Sequence, residues 1–443
     1  MTPSAAPLAR RFHSGQGEHI LVVPYSRIYD LPPSWLDDDG ELLPSAHGML
    51  EALAMPGQGE ADLDLVPLPP VRSLSLNVSS SCNLACNYCY AGRGGFGGKQ
   101  SGAMEWPVAK LAVDRLLDQA APGERSTIGF LGGEPFVNAR LIHQVVDYAS
   151  ARASRRGLWV QYAVTTNGTL LDAADLALLR AHPFSVTVSV DGGADVQRRQ
   201  RPYHNGGGDS WSALRRAIDP LLAAPGLAQI AARATVQRED MDLPARFDAI
   251  LAAGFPEVGF SPLRRSPSGD QGLGGADWQD YGRAIQVLAR RQLDGALRGE
   301  PIQLTNFAVA LRQLYRGWAA PYSCGAGGGY FSVAKDGDWY ACHRAIGDPA
   351  FRMGDSGGLD QQARTIFLQR HHVHAQTDCN QCWARYLCSG GCHQEAPQRD
   401  AASCDFIRSW LEFCLAAYCD LSAAMPSWFA PVRRPEGARH ATP

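Results

Sequence analysis

The sequence predicts an α/β fold: a partial (β/α)6 TIM-type barrel, a cysteine-rich C-terminal region and a short N-terminal extension. Three observations lead there. Six apolar β runs alternate with amphipathic helical runs between Val71 and Pro262, the order that builds a parallel sheet. Such a sheet lies open as a doubly wound layer or curls into a barrel, and six strands suit an open, partial barrel. Polar, glycine-rich motifs stand at the C-terminal ends of these runs, where parallel α/β folds assemble their sites. Finally, the 12 cysteines of the 443 residues fall into two groups, three in 82–89 and nine in 324–419.

Composition narrows the function classes. The 41 basic and 44 acidic residues nearly cancel, leaving a formal net charge of −3 and no concentrated basic face for nucleic acid. Only three of the basic residues are lysines (Lys99, Lys110 and Lys335), and the arginine surplus reads as codon bias. The N-terminal stretch lacks the apolar run of a secretory signal, and no segment approaches the roughly 18 apolar residues of a membrane helix. A cytoplasmic protein is therefore expected, and the cytosol keeps thiols reduced. The cysteines are then ligands or core residues, not disulfides.

Residues 1–70 form the extension: a strand-like HILVVPY run, a proline- and aspartate-rich turn, a helix near His47–Ala54 and a linker. Residues 71–265 form the barrel. Its expected strands are Ser73–Ser79, Thr127–Leu131, Leu158–Thr165, Ser185–Val190, Ala231–Val236 and Glu257–Ser261. A helical bridge occupies 266–320, helical from about Asp277 to Trp318. Residues 321–425 are rich in glycine and cysteine, cannot build much core alone and need staples; FIRSWLEFCLAAYCDLSAA closes them as a helix. Residues 426–443 are a proline-rich tail.

The segment SSSCNLACNYCYAG places Cys82, Cys86 and Cys89 in a C-x3-C-x2-C spacing just after the first strand. Three thiolates on one loop hold three irons of a 4Fe-4S cube and leave one iron open to a small chelating ligand. The competing reading is a zinc site or reduced core thiols, but structural zinc wants four protein ligands and no fourth stands nearby.

This motif, with Tyr88 before the third cysteine, resembles the signature of the radical S-adenosylmethionine (SAM) superfamily. The resemblance continues through LGGEP (Gly132, Gly133, Glu134, Pro135), TTNG (Thr166, Asn167, Gly168) and SVDG (Ser189, Asp191), each at a successive strand end. It implies an enzyme that cleaves SAM reductively at the open iron, giving a 5′-deoxyadenosyl radical that abstracts hydrogen from an unactivated carbon. By the same resemblance the GGEP loop meets the SAM amino group, Ser189 and Asp191 lie near its ribose, and Arg233 meets its carboxylate.

The C-terminal cysteines resemble the SPASM domain, the auxiliary-cluster extension of radical SAM enzymes that modify peptides. Carried over by position, Cys379, Cys382, Cys388 and Cys404 would hold one auxiliary iron–sulfur cluster, and Cys324, Cys342 and Cys392 the other. A set of zinc sites is the alternative. The inner cluster lacks a fourth ligand: CGAGGGYFSV offers no second cysteine, so its open iron is filled by the substrate or by a donor such as Cys414 or Cys419. Those two read more readily as buried helix residues.

Two reactions compete within this class. Enzymes that convert a sulfatase cysteine or serine to formylglycine carry an aspartate directly after the cysteine of the Gly-x4-Cys spacing; here that place is His343. The chain looks more like maturases that crosslink ribosomally made peptides, including those for the quinohaemoprotein amine dehydrogenase small subunit and the cyclophane-forming enzymes. Expected partners are a precursor peptide with a leader and an electron donor such as flavodoxin or ferredoxin, with no nucleic acid and no membrane. Candidate bases are His343, Asp336, Asp338 and Asp348. Residues 1–70 either cap the barrel or recognise the leader, with HILVVPY as an edge for strand addition. A non-enzymatic electron carrier would explain the clusters but leave the GGEP motif without a purpose.

Overall fold

The HILVVPY run forms the middle of a small antiparallel sheet. Gly17–Val22 (β2) pairs with Ala9–Ser14 (β1) on one side and with Arg27–Asp30 (β3) on the other. Its edges are therefore both occupied, which corrects the expectation that this run is open to strand addition. Alternation explains the placement, because Ile20 and Val22 share one face and pack with Leu31 and Leu50. Leu50 comes from the helix Pro44–Leu53.

The structure, a computed structural model, describes residues 6–57, 62–64, 66, 68–92, 94–95, 102–264 and 272–430. Lys99 and the tail beyond Ala430 lie outside the described residues. The chain forms two units, one drawn from 1–66, 274–324 and 368–433, the other from 67–273 and 325–367.

In the first unit the bridge is two helices, Asp277–Leu297 and Thr305–Tyr315. Both pack on the 24-residue helix Ala401–Ala424. Trp278 stacks on Phe406 with ring centroids 5.7 Å apart, and Phe307 meets Trp410 and Phe413. Cys414 is fully buried in that helix, as its apolar periodicity implies.

The second unit holds a ten-stranded sheet. Six strands run parallel in sequence order: Ser73–Ser79 (β4), Arg125–Gly132 (β5), Trp159–Thr166 (β6), Phe184–Ser189 (β7), Gln229–Val236 (β8) and Val258–Pro262 (β9). β4 is buried along nearly its whole length, as a parallel strand covered on both faces must be. Helices such as Trp106–Asp118 and Ala139–Arg156 provide the crossovers. The fold is thus α/β with a partial barrel.

The sequence did not foretell what happens at the outer edge of β4. Tyr330–Val333 (β10), from the cysteine-rich region, lies parallel to it in register Tyr330↔Ser73 to Val333↔Leu76. Trp339–Tyr340 (β11), Arg352–Asp355 (β12) and Gly358–Leu359 (β13) then add antiparallel. These strands have two to four residues each, too short for an alternation signal.

Candidate functional site

The loop after β4 carries Cys82, Cys86 and Cys89, and three neighbouring segments tie it down. Ala85 N–H donates to Pro202 O (2.8 Å) and Asn87 N–H to Gln200 O (3.2 Å). The Asn83 amide donates to Thr169 Oγ1 and accepts from Asn167 Nδ2, each at 2.8 Å. Gln237, just beyond β8, reaches Asn87 Oδ1 at 3.1 Å. The loop is thereby fixed against the C-terminal ends of β6 and β8.

The three thiols lie close enough to repel one another as anions, and burial pushes Cys82 up to about 11 and Cys86 up to about 12. A bound cation reverses that cost, since coordinating thiols are deprotonated outright. N–H groups surround the sulfurs: Leu84 N–H at 3.4 Å and Asn167 Nδ2 at 3.8 Å from Cys82, and Arg201 Nη1 at 3.8 Å from Cys86. Among the described residues no three His, Cys, Asp or Glu converge on a single ion. Thiols of a cube each bind a different iron and need not converge, so the donor set fits a cluster.

Gly132 and Gly133, at the end of β5, pass directly beneath this loop. A Cβ on Gly132 would stand 2.3 Å from Ser79 O, and one on Gly133 2.4 Å from Ser81 O. Only glycine permits that approach. Glu134 is wholly buried: Oε1 accepts from Thr166 Oγ1 (2.7 Å) and Phe136 N–H (3.1 Å), and Oε2 from Asn167 N–H (2.6 Å). Its carboxyl therefore ties the β5 loop to the end of β6. Burial, outweighing those hydrogen bonds, pushes its pKa up to about 7. Pro135 opens a short 3-10 turn after it.

Asp191 is likewise fully buried. Its carboxylate accepts from Tyr88 Oη (2.5 Å), Arg201 Nε (2.8 Å) and Thr235 N–H (2.8 Å). Arg246 donates to Asp191 O (2.5 Å) and Thr235 O (2.7 Å) from below. Tyr88 and Asp191 thus brace the cysteine loop against β7 and β8. Ser189 is partly exposed at the tip of β7, in register with the exposed Arg233 on β8. Sequence reasoning missed Arg201 and Arg246. Within QRRQRPY nothing marks one arginine above another, and only the fold selects which is buried.

The candidate bases separate clearly. Asp336 and Asp338 sit in the turn between β10 and β11, and both oxygens of Asp338 are paired with Arg352 at 3.0 and 3.1 Å. Asp348 caps a 3-10 turn through Ala350 N–H. His343 instead lies against two tyrosines. Its Nδ1 is 3.0 Å from Tyr330 Oη, and its ring meets Tyr90 edge-on at 6.3 Å. Tyr90 also senses the charges of Cys89 and Cys342, so these residues share one neighbourhood.

In the first unit Cys379, Cys382, Cys388 and Cys404 are drawn together, each within electrostatic reach of others in the set. Arg399 donates to Cys379 Sγ and Ala384 N–H to Cys382 Sγ (3.4 Å). Cys324 and Cys392 also belong to this unit, and their neighbours Ser323 and Gly391 are hydrogen-bonded at 2.5 Å. Cys342 belongs to the second unit.

Residues 76–224 match the family model of the radical SAM superfamily. The chain carries a radical SAM domain. It is accordingly an enzyme of radical chemistry, whose domain implies SAM and a 4Fe-4S cluster. Similarity extends beyond the radical SAM domain. The serine-type anaerobic sulfatase-maturating enzyme of Klebsiella aerogenes is 25% identical over 354 residues, covering 73% of this chain and 80% of that one. The mycofactocin maturase MftC of Mycobacterium ulcerans is 28% identical over 333 residues, covering 72% and 82%. An uncharacterized protein of Methanocaldococcus jannaschii is 35% identical over 136 residues, where the match spans 44% of that protein. Among solved structures, native anSMEcpe with bound AdoMet superposes with a TM-score of 0.67 at 20% identity, covering 80% of this chain and 100% of that one. Streptococcus suis SuiB bound to precursor peptide SuiA gives 0.51 at 11% identity, covering 90% and 98%. Both likenesses are of fold. No helix among the described residues is long and apolar enough to cross a membrane.

Proposed function

We propose that this radical SAM enzyme matures a peptide, removing a side-chain hydrogen from a ribosomally made precursor and closing a thioether or carbon–carbon crosslink within it. The observation that carries this reading is His343. It stands directly after Cys342, where the formylglycine-forming class has an aspartate, and the nearby Asp338 is committed to Arg352.

When bound, SAM and its cluster supply the carbon-centred radical that takes the hydrogen. The chain positions both. Cys82, Cys86 and Cys89 would hold the cluster, and Gly132 and Gly133 let the end of β5 lie against the backbone that leads into their loop. Asn167, Ser189 and Arg233 offer polar groups at successive strand ends. Cys379, Cys382, Cys388 and Cys404 would hold an auxiliary cluster. Cys324 and Cys392 would contribute to a second, its remaining ligands coming from the protein or from a substrate thiolate. His343 would be the proton acceptor, against the cost that burial and the neighbouring Arg344 charge push its pKa down to about 4. A flavodoxin or ferredoxin would deliver the reducing electron, and residues 1–70 are available to recognise a leader.

Formylglycine formation is the second reading, favoured by the 354-residue match to the Klebsiella enzyme. One experiment separates them. Anaerobically reconstituted protein is given SAM, dithionite and either a short peptide found to be encoded beside its gene or a sulfatase-derived peptide. Crosslinking appears in the mass spectrum as loss of a hydrogen pair without a new carbonyl; formylglycine reacts with hydrazides. If no 5′-deoxyadenosine forms while the Cys82/Cys86/Cys89 cluster is intact, both readings fail.

A further inference from the structure

Two arginines act on the four-thiol site in a way the proposed reaction does not by itself explain. Arg399 donates to the Cys379 thiol, and its other arm donates to Gln376 Oε1 at 2.7 Å. Among the described residues no carboxylate forms an ion pair with it, so its charge is directed at the sulfur. Arg408 stands within electrostatic reach of the Cys382 thiol, and it is paired with the exposed Asp405. Cys388 is partly shielded from water, so charges are felt more strongly here than at the open surface.

The first cysteine loop is built differently. Arg201 reaches Cys86 at 3.8 Å, but it forms a buried pair with Asp191, 2.8 Å away, that cancels its charge. One group of thiols thus faces an arginine in a buried ion pair; the other faces Arg399, which has no carboxylate partner among the described residues, and Arg408, whose partner Asp405 is exposed to water.

We propose that Arg399 and Arg408 raise the reduction potential of the cluster held by Cys379, Cys382, Cys388 and Cys404, making it the one-electron acceptor of the reaction. This rests on the reading above that these thiols hold a 4Fe-4S cluster. Adding one electron makes a four-thiolate cluster one charge more negative, and cations bonded to its sulfurs favour that state. The balance is simple. The substrate radical loses one electron, and a proton leaves as the crosslink closes; the cluster gains that electron and later passes it to an external one-electron acceptor protein. Arg399 and Arg408 are positioning residues, since they touch ligand thiols and not substrate.

The test is an EPR-monitored redox titration of the full, reconstituted chain carrying Cys82, Cys86 and Cys89 all changed to alanine, which removes the SAM-cluster signal. The signal of interest is the one abolished by Cys388→Ala. Arg399→Gln and Arg408→Gln should each disfavour reduction on the order of tenfold, about 59 mV for one electron. Arg399→Lys should restore part of that shift. Iron present at these thiols with an unmoved midpoint in both glutamine variants overturns this inference alone. Iron absent from all four thiols overturns the cluster assignment and the inference together.

Discussion

Arg201 Nε lies 2.8 Å from Asp191 Oδ2, and both side chains are almost wholly shielded from water. The pair joins the helix end after β7 to the cysteine loop, because Arg201 also reaches Cys86 and Tyr88 also reaches Asp191. Breaking one half leaves a buried charge uncompensated, which costs about 3–5 kcal/mol. Asp191→Ala should therefore lower unfolding stability by about that amount in a denaturant titration, and Asp191→Asn with Arg201→Gln should recover part of it. A loss for Asp191→Ala no larger than that of a surface substitution would mean that the pair does not brace the loop.

Gly133 leaves no room for a side chain below Ser81 O. Gly133→Ala should displace the cysteine loop, so reconstituted protein should lose the SAM-cluster iron while the auxiliary iron stays. Iron and sulfide analysis alongside 5′-deoxyadenosine release measures both. Full cluster loading with normal SAM cleavage would refute the packing argument.

Glu134 links stability to pH. Its pKa in the folded chain is about 7, against 4.5 for the free group. Between those values the folded chain keeps a proton that the unfolded chain has released, so stability falls as pH rises through this window. The full penalty, up to about 3 kcal/mol, is present above the folded pKa. Comparing cluster-free wild type with Glu134→Gln from about pH 5 to pH 8 should show the difference growing in favour of the variant. Parallel stability profiles would show that Glu134 is ionised throughout.

Asp338 and Arg352 form a pair on an exposed turn. Exposed pairs contribute about 0–1 kcal/mol, so Asp338→Asn should change stability by less than that and leave turnover intact. His343→Ala should instead slow product formation more than it slows SAM cleavage. Equal loss of turnover in the two variants would reassign the base.

The regular part of the fold was readable because it is repetitive. β4 spans the residues expected of it, and the other five barrel strands differ by one or two residues at their ends. The GGEP and TTNG motifs stand at the ends of β5 and β6 because strand ends are where glycine and polar residues interrupt apolar runs. What escaped reading depends on distance in sequence. β10 has four residues and finds its partner on β4, while Arg201 is one arginine of three in QRRQR until burial singles it out. HILVVPY looked like a free edge because its partners, ARRFHS and RIYD, carry arginines that mask their strand pattern.

The pairing of β10 with β4 has a consequence for biosynthesis. On the ribosome β4 emerges early, but the strand that covers its outer edge ends only at Val333 of 443 residues. Until then the nascent barrel presents a bare row of backbone donors and acceptors along an apolar strand, the kind of surface that recruits another copy or a chaperone. A shortened gene product ending in the helical bridge would keep that edge uncovered. The cysteine-rich extension is, in this respect, the last piece of the barrel to be made.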